Sequence, residues 1–218
     1  RILALNDATI RDIAEPPVTG RIRLGITEYF VPNNLPAILA RFAAAYPGVR
    51  LEVRMGTSRD LREQLARKAF DAVIVRLARR ERVRAIWSEP QVWVAPQDFE
   101  IVRGAVLPLA LLAAPCVLRE FALDLLKRRK RPFKIAFTGS SMVSVQAAVR
   151  AGLGVSILPR SSLLPDMQLL QKTRDFPDPG TLDVGVVSGA GARTDIVAAL
   201  ERVIGQTLDV MALKRATD

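Results

Sequence analysis

The chain has 218 residues, half of them hydrophobic, with 32 basic against 22 acidic residues and a formal charge of +10. That is enough apolar material for one large domain or two small ones. It contains no histidine and a single cysteine, Cys116, which removes Ser-His-Asp and Cys-His catalytic arrangements, zincin motifs and an internal disulfide framework.

The carboxylates stand singly rather than in pairs spaced for metal binding or acid–base work, so no enzyme activity, metal or cofactor is expected. Cys116 has no sequence partner that would activate it and reads as a small apolar residue. No apolar stretch reaches the about 18 residues of a membrane span. The most apolar one, residues 105–118, is interrupted by Pro108 and Pro115. With no secretory signal at its start and one cysteine, the chain reads as soluble and cytoplasmic. It begins abruptly at Arg1 without an initiator Met, as a fragment of a longer protein would. The basic excess suits an anionic partner. Its two densest runs, 76–84 and 127–131, lack interleaved aromatics, however, and the second lies just before Pro132, where it reads as a solvated helix C-terminus.

Residues 1–15 set Ile2, Leu5, Ile10 and Ile13 roughly on one helical face, and Pro16-Pro17 ends what reads as the tail of a longer amphipathic helix. Residues 20–26 alternate Ile22, Leu24 and Ile26 in a first strand, followed by Thr27, Glu28 and Tyr29. Leu35, Ile38, Leu39, Phe42 and Tyr46 recur at helical spacing until Pro47-Gly48. A second strand over 49–54 runs into Gly56-Thr57-Ser58, where Thr57 with Asp60 resembles a capping box for a helix carrying Leu61 and Leu65. The run at 72–75 is a third strand of the kind buried on both faces, ending at Arg76. Three strands joined by two helices make a βαβαβ unit with a parallel sheet. Thr27-Glu28-Tyr29, Thr57-Ser58 and Arg76 therefore line one edge together.

Residues 84–95 give one or two strands around Trp87 and Trp93, broken by Pro90, and Pro96-Gln97-Asp98 marks a first crossing into another lobe. A strand over 107–113 precedes a helix built on Val117, Leu118, Phe121, Leu125 and Leu126. The centre of the second half is 133–160, a strand, a Gly-Ser-Ser turn, a helix, a Gly turn and a returning strand. Ser140 or Ser141 can cap that helix, whose unpaired N–H groups and positive dipole end attract anions beyond the strand's edge. A strand over 182–187 leads to a last helix capped by Thr194, with Ile196, Val197, Leu200, Val203, Ile204 and Leu208 reading as a face packed on the first lobe. Gly189-Ala190-Gly191 lacks the third glycine and the completing strand of a dinucleotide fingerprint.

The order of these pieces resembles the effector-binding domain of LysR-type transcriptional regulators. The resemblance rests on Leu35, Pro36, Phe42, Tyr46, Pro47, Val49 and Leu51, on the turn Gly56, Ser58, Leu61, and on the strand from Asp71 to Val75, which stand in family order. The segments 89–96 and 147–161 match further family stretches, so the likeness covers nearly the whole chain. Residues 93–96, Cys116 with Arg119, and 136–141 are similar to members of the LrhA, HexA and PecT group. Lys68 departs from the pattern, since family members usually carry Gly before the Asp71 strand.

The resemblance implies an α/β chain with the two-lobed fold of type 2 periplasmic binding proteins, each lobe a mostly parallel sheet flanked by helices. Residues 1–19 would be the tail of a linker helix that dimerises in the intact regulator. Residues 20–95 with 188–218 would form regulatory lobe I and 96–187 lobe II, with crossovers near 95–96 and 182–187. The implied partners are a small, anionic or carboxylate effector in the interlobe cleft and other copies of the chain, as homodimer or homotetramer. Promoter DNA would be reached only through an N-terminal helix-turn-helix that this chain lacks, and no membrane is involved. Carried over by position, Thr27, Glu28, Tyr29, Thr57, Ser58 and Arg76 would bind the effector from lobe I and Phe137, Thr138, Ser140 and Ser141 from lobe II. Glu28 would repel an anion unless it pairs with Arg76 or the effector carries a cationic or hydroxyl group. The alternative is a solute-binding protein of a transport system with the same fold.

Overall fold

The computed structural model describes residues 18–28, 31–77, 81–100, 102, 104–171, 173 and 175–217. The helix expected over 1–15, Tyr29 and the middle of the basic run at 76–84 lie outside the described residues. The chain forms two compact units, one from residues up to Trp87 together with Val184 onward, the other from Ser88 to Asp183.

In the first unit the strands β1 (Gly20–Thr27), β2 (Val49–Gly56), β3 (Ala72–Arg76) and β9 (Thr181–Ser188) lie in the order β2-β1-β3-β9. β1 runs parallel to both neighbours, with Gly20 opposite Val49 and Leu24 opposite Ala72. β9, arriving from the second unit, is antiparallel to β3. Alternation along β1 sends Ile22, Leu24 and Ile26 to one face. There they pack with Ile38 and Phe42 of α1 (Val31–Ala45) and with Ile196, Leu200, Val203, Ile204 and Leu208 of α5 (Thr194–Thr217). Each such side chain contributes about 1.5–3 kcal/mol by leaving water, so the last helix is an integral part of this unit. The opposite face is covered by Leu61 and Leu65 of α2 (Ser58–Ala66), packed with Phe70, Val73 and Val75.

In the second unit β4 (Trp87–Pro96) pairs antiparallel with β7 (Ser156–Pro159) and β8 (Met167–Leu169). Pro90 does not break β4 as its sequence suggested. It is exposed and precedes Gln91–Val94, the residues paired with β7, so no rung of that ladder requires its missing N–H. The strand continues unbroken, and from Ser88 on it belongs to the second unit, so the outward crossing lies earlier than Ala95-Pro96. β5 (Leu107–Leu112) and β6 (Phe133–Gly139) run parallel, flanked by α3 (Val117–Arg128) and α4 (Met142–Arg150). Trp93, almost fully buried, meets Phe176 edge-on at 5.5 Å and donates its indole N–H to the Pro177 carbonyl.

Three helices close in the same way. After α2 the Lys68 N–H bonds to Leu65 and Ala69 reaches back to Gln64; after α3, Lys130 bonds to Lys127 and Arg131 to Leu126; after α4, Gly152 bonds to Val149 and Leu153 to Ala148. This double closure needs a left-handed residue just past the cap. Gly152 supplies it at φ 78°, but the other two positions are filled by lysines, Lys68 at φ 61° and Lys130 at φ 53°. The family departure at Lys68 is thus a side chain in the conformation glycine adopts most easily, and the turn forms nonetheless. The run 127–131 is not wholly a solvated helix end: Arg131 is buried and donates to the Val102 carbonyl.

Candidate functional site

The C-terminal ends of the first unit's parallel strands are tied together by one hydroxyl. α2 begins where β2 ends, because Thr57 caps it: the Thr57 Oγ1 accepts from the Asp60 amide at 3.2 Å and donates to the Asp60 carboxylate at 2.8 Å. This places Ser58 on the first turn of α2. The Ser58 Oγ accepts the Arg76 backbone N–H at 3.2 Å and lies 3.4 Å from the Oγ1 of Thr27, which is fully buried. Ends of β1 and β3 and the start of α2 therefore meet at a single oxygen. The Thr27 contact is long for a hydroxyl pair, so the Ser58 proton is weakly held and can turn to another acceptor.

Arg62, one helical turn after Ser58, completes the frame. Its guanidinium donates to the Arg76 carbonyl at 3.0 Å and forms an ion pair with Glu81 at 2.9 Å. Ser58 and Arg62 thus hold the N–H and the carbonyl of the same residue from one helix face. The Arg76 side chain is half-buried and makes no ion pair among the described residues. Glu28 follows β1 in a half-buried turn and has a partner of its own. The edge offers a helix N-terminus, two hydroxyls and a guanidinium, a set suited to oxygen-rich anions.

In the second unit the serines after β6 serve a more local purpose. Ser141 accepts from the Ser144 amide at 3.3 Å, and the Ser144 Oγ accepts from the Ser141 amide at 3.2 Å while donating to the Ser141 carbonyl at 2.7 Å. This is a capping box with serine at its third position. Gly139 is buried, and a Cβ there would lie 2.2 Å from the Ser144 Oγ, so the box requires glycine before it. Ser140 and Thr138 are exposed, and Phe137 and Ser141 are half-buried. The neighbouring strand end is fixed by Ala113, whose amide donates to the Gly139 carbonyl at 2.8 Å, and by Arg119, which donates to the Leu112 carbonyl at 3.0 Å.

Of the residues expected at the site, Thr27, Thr57, Ser58 and Arg76 come together in the first unit, with Glu28 adjacent. Phe137, Thr138, Ser140 and Ser141 share the end of β6 and the start of α4 in the second. Arg62 and Ser144 escaped the sequence reading. The first was signalled only by its spacing of four from Ser58, the second by its spacing of three from Ser141 in a place where Glu or Gln is usual.

Residues 16–209 match the LysR substrate binding domain. Among curated proteins, the HTH-type transcriptional regulator PecT of Dickeya dadantii is 25% identical over 178 residues, covering 81% of this chain and 56% of its own length. DgdR of Burkholderia cepacia, also an HTH-type transcriptional regulator, is 28% identical over 181 residues, covering 81% of this chain and 60% of its own. The chain thus spans somewhat over half the length of these relatives. Among solved structures, the CcmR regulatory domain of Synechocystis PCC6803, in complex with 2-PG, aligns with a TM-score of 0.70 at 18% identity over 85% of this chain and 98% of that one. The fold is that of type 2 periplasmic binding proteins, and among the described residues no helix is long and apolar enough to cross a membrane. With the strand order, the capped α2 and the sequence match in agreement, the chain belongs to the LysR substrate-binding domain family.

Proposed function

We propose that this chain is the ligand-sensing and oligomerising domain of a cytoplasmic LysR-type transcriptional regulator, and that it binds a small anionic or carboxylate effector. The observation that carries the reading is the convergence of Thr27, Ser58 and Arg76 at one strand edge, with a hydroxyl proton weakly held and a guanidinium free of ion pairs among the described residues. In this reading Ser58 keeps its bond from the Arg76 amide and turns its proton to a ligand oxygen. Arg76 makes a charge-assisted pair with the same group. The regulators among its relatives, and a regulatory domain of like fold solved with 2-PG, support a sensing role over solute transport. Promoter DNA would be bound through an N-terminal helix-turn-helix of the parent protein. A ligand regulates such a protein only through different affinity for two arrangements of its parts, so the effector must favour one arrangement of the oligomer.

The test is a thermal-shift panel of small carboxylates and inorganic anions, with light scattering to record mass. A ligand at about a hundred times its Kd adds about 2.7 kcal/mol to stability. Arg76→Gln and Ser58→Ala should each weaken the response of the active compound by about tenfold or more, since each removes a charged or polar contact. A compound whose response survives both substitutions would refute the assignment of this edge.

A further inference from the structure

Along one face of β1 and β2 lies a second basic feature that the sensing site does not use. Arg21 and Arg23 share a face of β1 with Gly25, where an added Cβ would meet Leu61 of α2 and Phe70, so they point to the side that α2 covers. In register they stand opposite Arg50 and Glu52 of β2, and Arg54 stands opposite Gly25. α2 ends at Ala66, and the chain turns back at Lys68 into Ala69 and Phe70. Beside this turn a pocket of about 340 Å³ remains, lined by Arg21, Arg23, Glu52, Arg54, Ala69 and Phe70.

The charges at this pocket do not balance. Asp71 is committed to Arg23, accepting its backbone N–H at 2.7 Å, its Nε at 3.2 Å and its Nη2 at 2.7 Å. Glu52 is shared, at 3.4 Å from Arg50 and 3.9 Å from Arg21. Arg54 makes no ion pair among the described residues. Four guanidiniums thus face two carboxylates over an apolar floor, and the loosest of the contacts, Arg21 to Glu52, is the one a competing anion would replace.

We propose that this pocket is a second anion site on the first unit, taking a compact polyanion, a phosphate ester or a polycarboxylate, between Arg21 and Arg54 with Arg23 held at its base by Asp71. Arginine suits the role because its planar donors can grip two oxygens of one group at once. The site runs along one face of β1 and β2 from Arg21 to Arg54 and shares no lining residue with the Thr27, Ser58 and Arg76 edge, so the two can be separated by mutation.

Inorganic pyrophosphate and citrate, titrated calorimetrically into the chain at low salt, are the probes. Saturable binding of either that falls about tenfold or more in the double variant R21Q/R54Q, as expected for loss of charged hydrogen bonds, supports the site, provided that R76Q and S58A leave it unchanged. R59Q/R67Q, which removes the same charge elsewhere on the unit, should bind like the parent. Equal weakening in R59Q/R67Q, undiminished binding in R21Q/R54Q, or no binding by the parent chain would each overturn the proposal. Loss in R76Q alone would assign the anion to the sensing edge instead.

Discussion

The two units place serines after a strand and at the start of a helix, and use them differently. In the first, Ser58 is a tertiary residue: its oxygen joins α2 to the ends of β1 and β3. In the second, Ser141 and Ser144 satisfy each other and the first turn of α4. Sequence context alone does not separate these cases, because a capping serine and a bridging serine need the same neighbours. The difference is one of consequence. A disturbance at Ser58 is expected to spread across a sheet, and one at Ser141 to stay within a helix.

The largest expected effect tests how rigid the second unit's box is. Gly139→Ala should cost about 1–3 kcal/mol by overpacking, read as a fall in the urea midpoint. Adding Ser144→Ala should return part of that loss, since the clash is with the Ser144 hydroxyl. Full additivity would show that the box yields freely. Of the same expected size is Asp71→Asn, which should cost about 1.5–3 kcal/mol in the first unit by removing a charged acceptor.

That contribution depends on pH with a definite sign. The hydrogen bonds from Arg23 hold the Asp71 carboxyl below the usual carboxylate range. Its stabilisation is therefore fully present above the unfolded value of about 4 and is lost as pH falls through the lower folded value. Urea midpoints between neutral and acid pH should fall less steeply in Asp71→Asn than in the parent.

Ser58→Ala and Ser141→Ala should each cost about 1 kcal/mol, so midpoints will not distinguish them. Amide exchange will. Ser58→Ala should accelerate exchange at Arg76, on another element, whereas Ser141→Ala should act only within the first turn of α4. Acceleration confined to α2 in Ser58→Ala would remove the contrast. Smallest are the helix closures: Lys68→Gly and Lys130→Gly should each stabilise by about 0.5–1 kcal/mol, as the relief of left-handed strain exceeds the added freedom of the unfolded chain. Gly152→Ala should do the reverse.

Much of the architecture was legible because its periodicities are clean. Ile22, Leu24 and Ile26 alternate, Leu61 and Leu65 recur at one helical turn, and the Ile196 to Leu208 face is long enough to require a partner sheet. The strand-end residues Thr27, Ser58 and Arg76 were also legible, since a βαβαβ unit brings C-terminal ends to one edge whatever the side chains. Less legible was anything that depends on one residue's environment. Pro90 signals a break in isolation, yet costs little where it stands outside the paired residues. Arg131 looks like its neighbours in a basic run but is buried. Arg62 carries no motif, and its bond to the Arg76 carbonyl exists only because α2 packs beside β3.

The lysines at the two helix closures bear on how this domain can change over generations. Most substitutions that alter a binding edge lower stability, and a chain survives them only while it stays above the threshold for folding. Lys68 and Lys130 hold left-handed conformations, in which a single replacement by Gly is expected to gain stability without touching either the strand ends or the core. Such positions are evolutionary headroom. A lineage can acquire costly new residues at the strand ends with a compensating change already available at each closure.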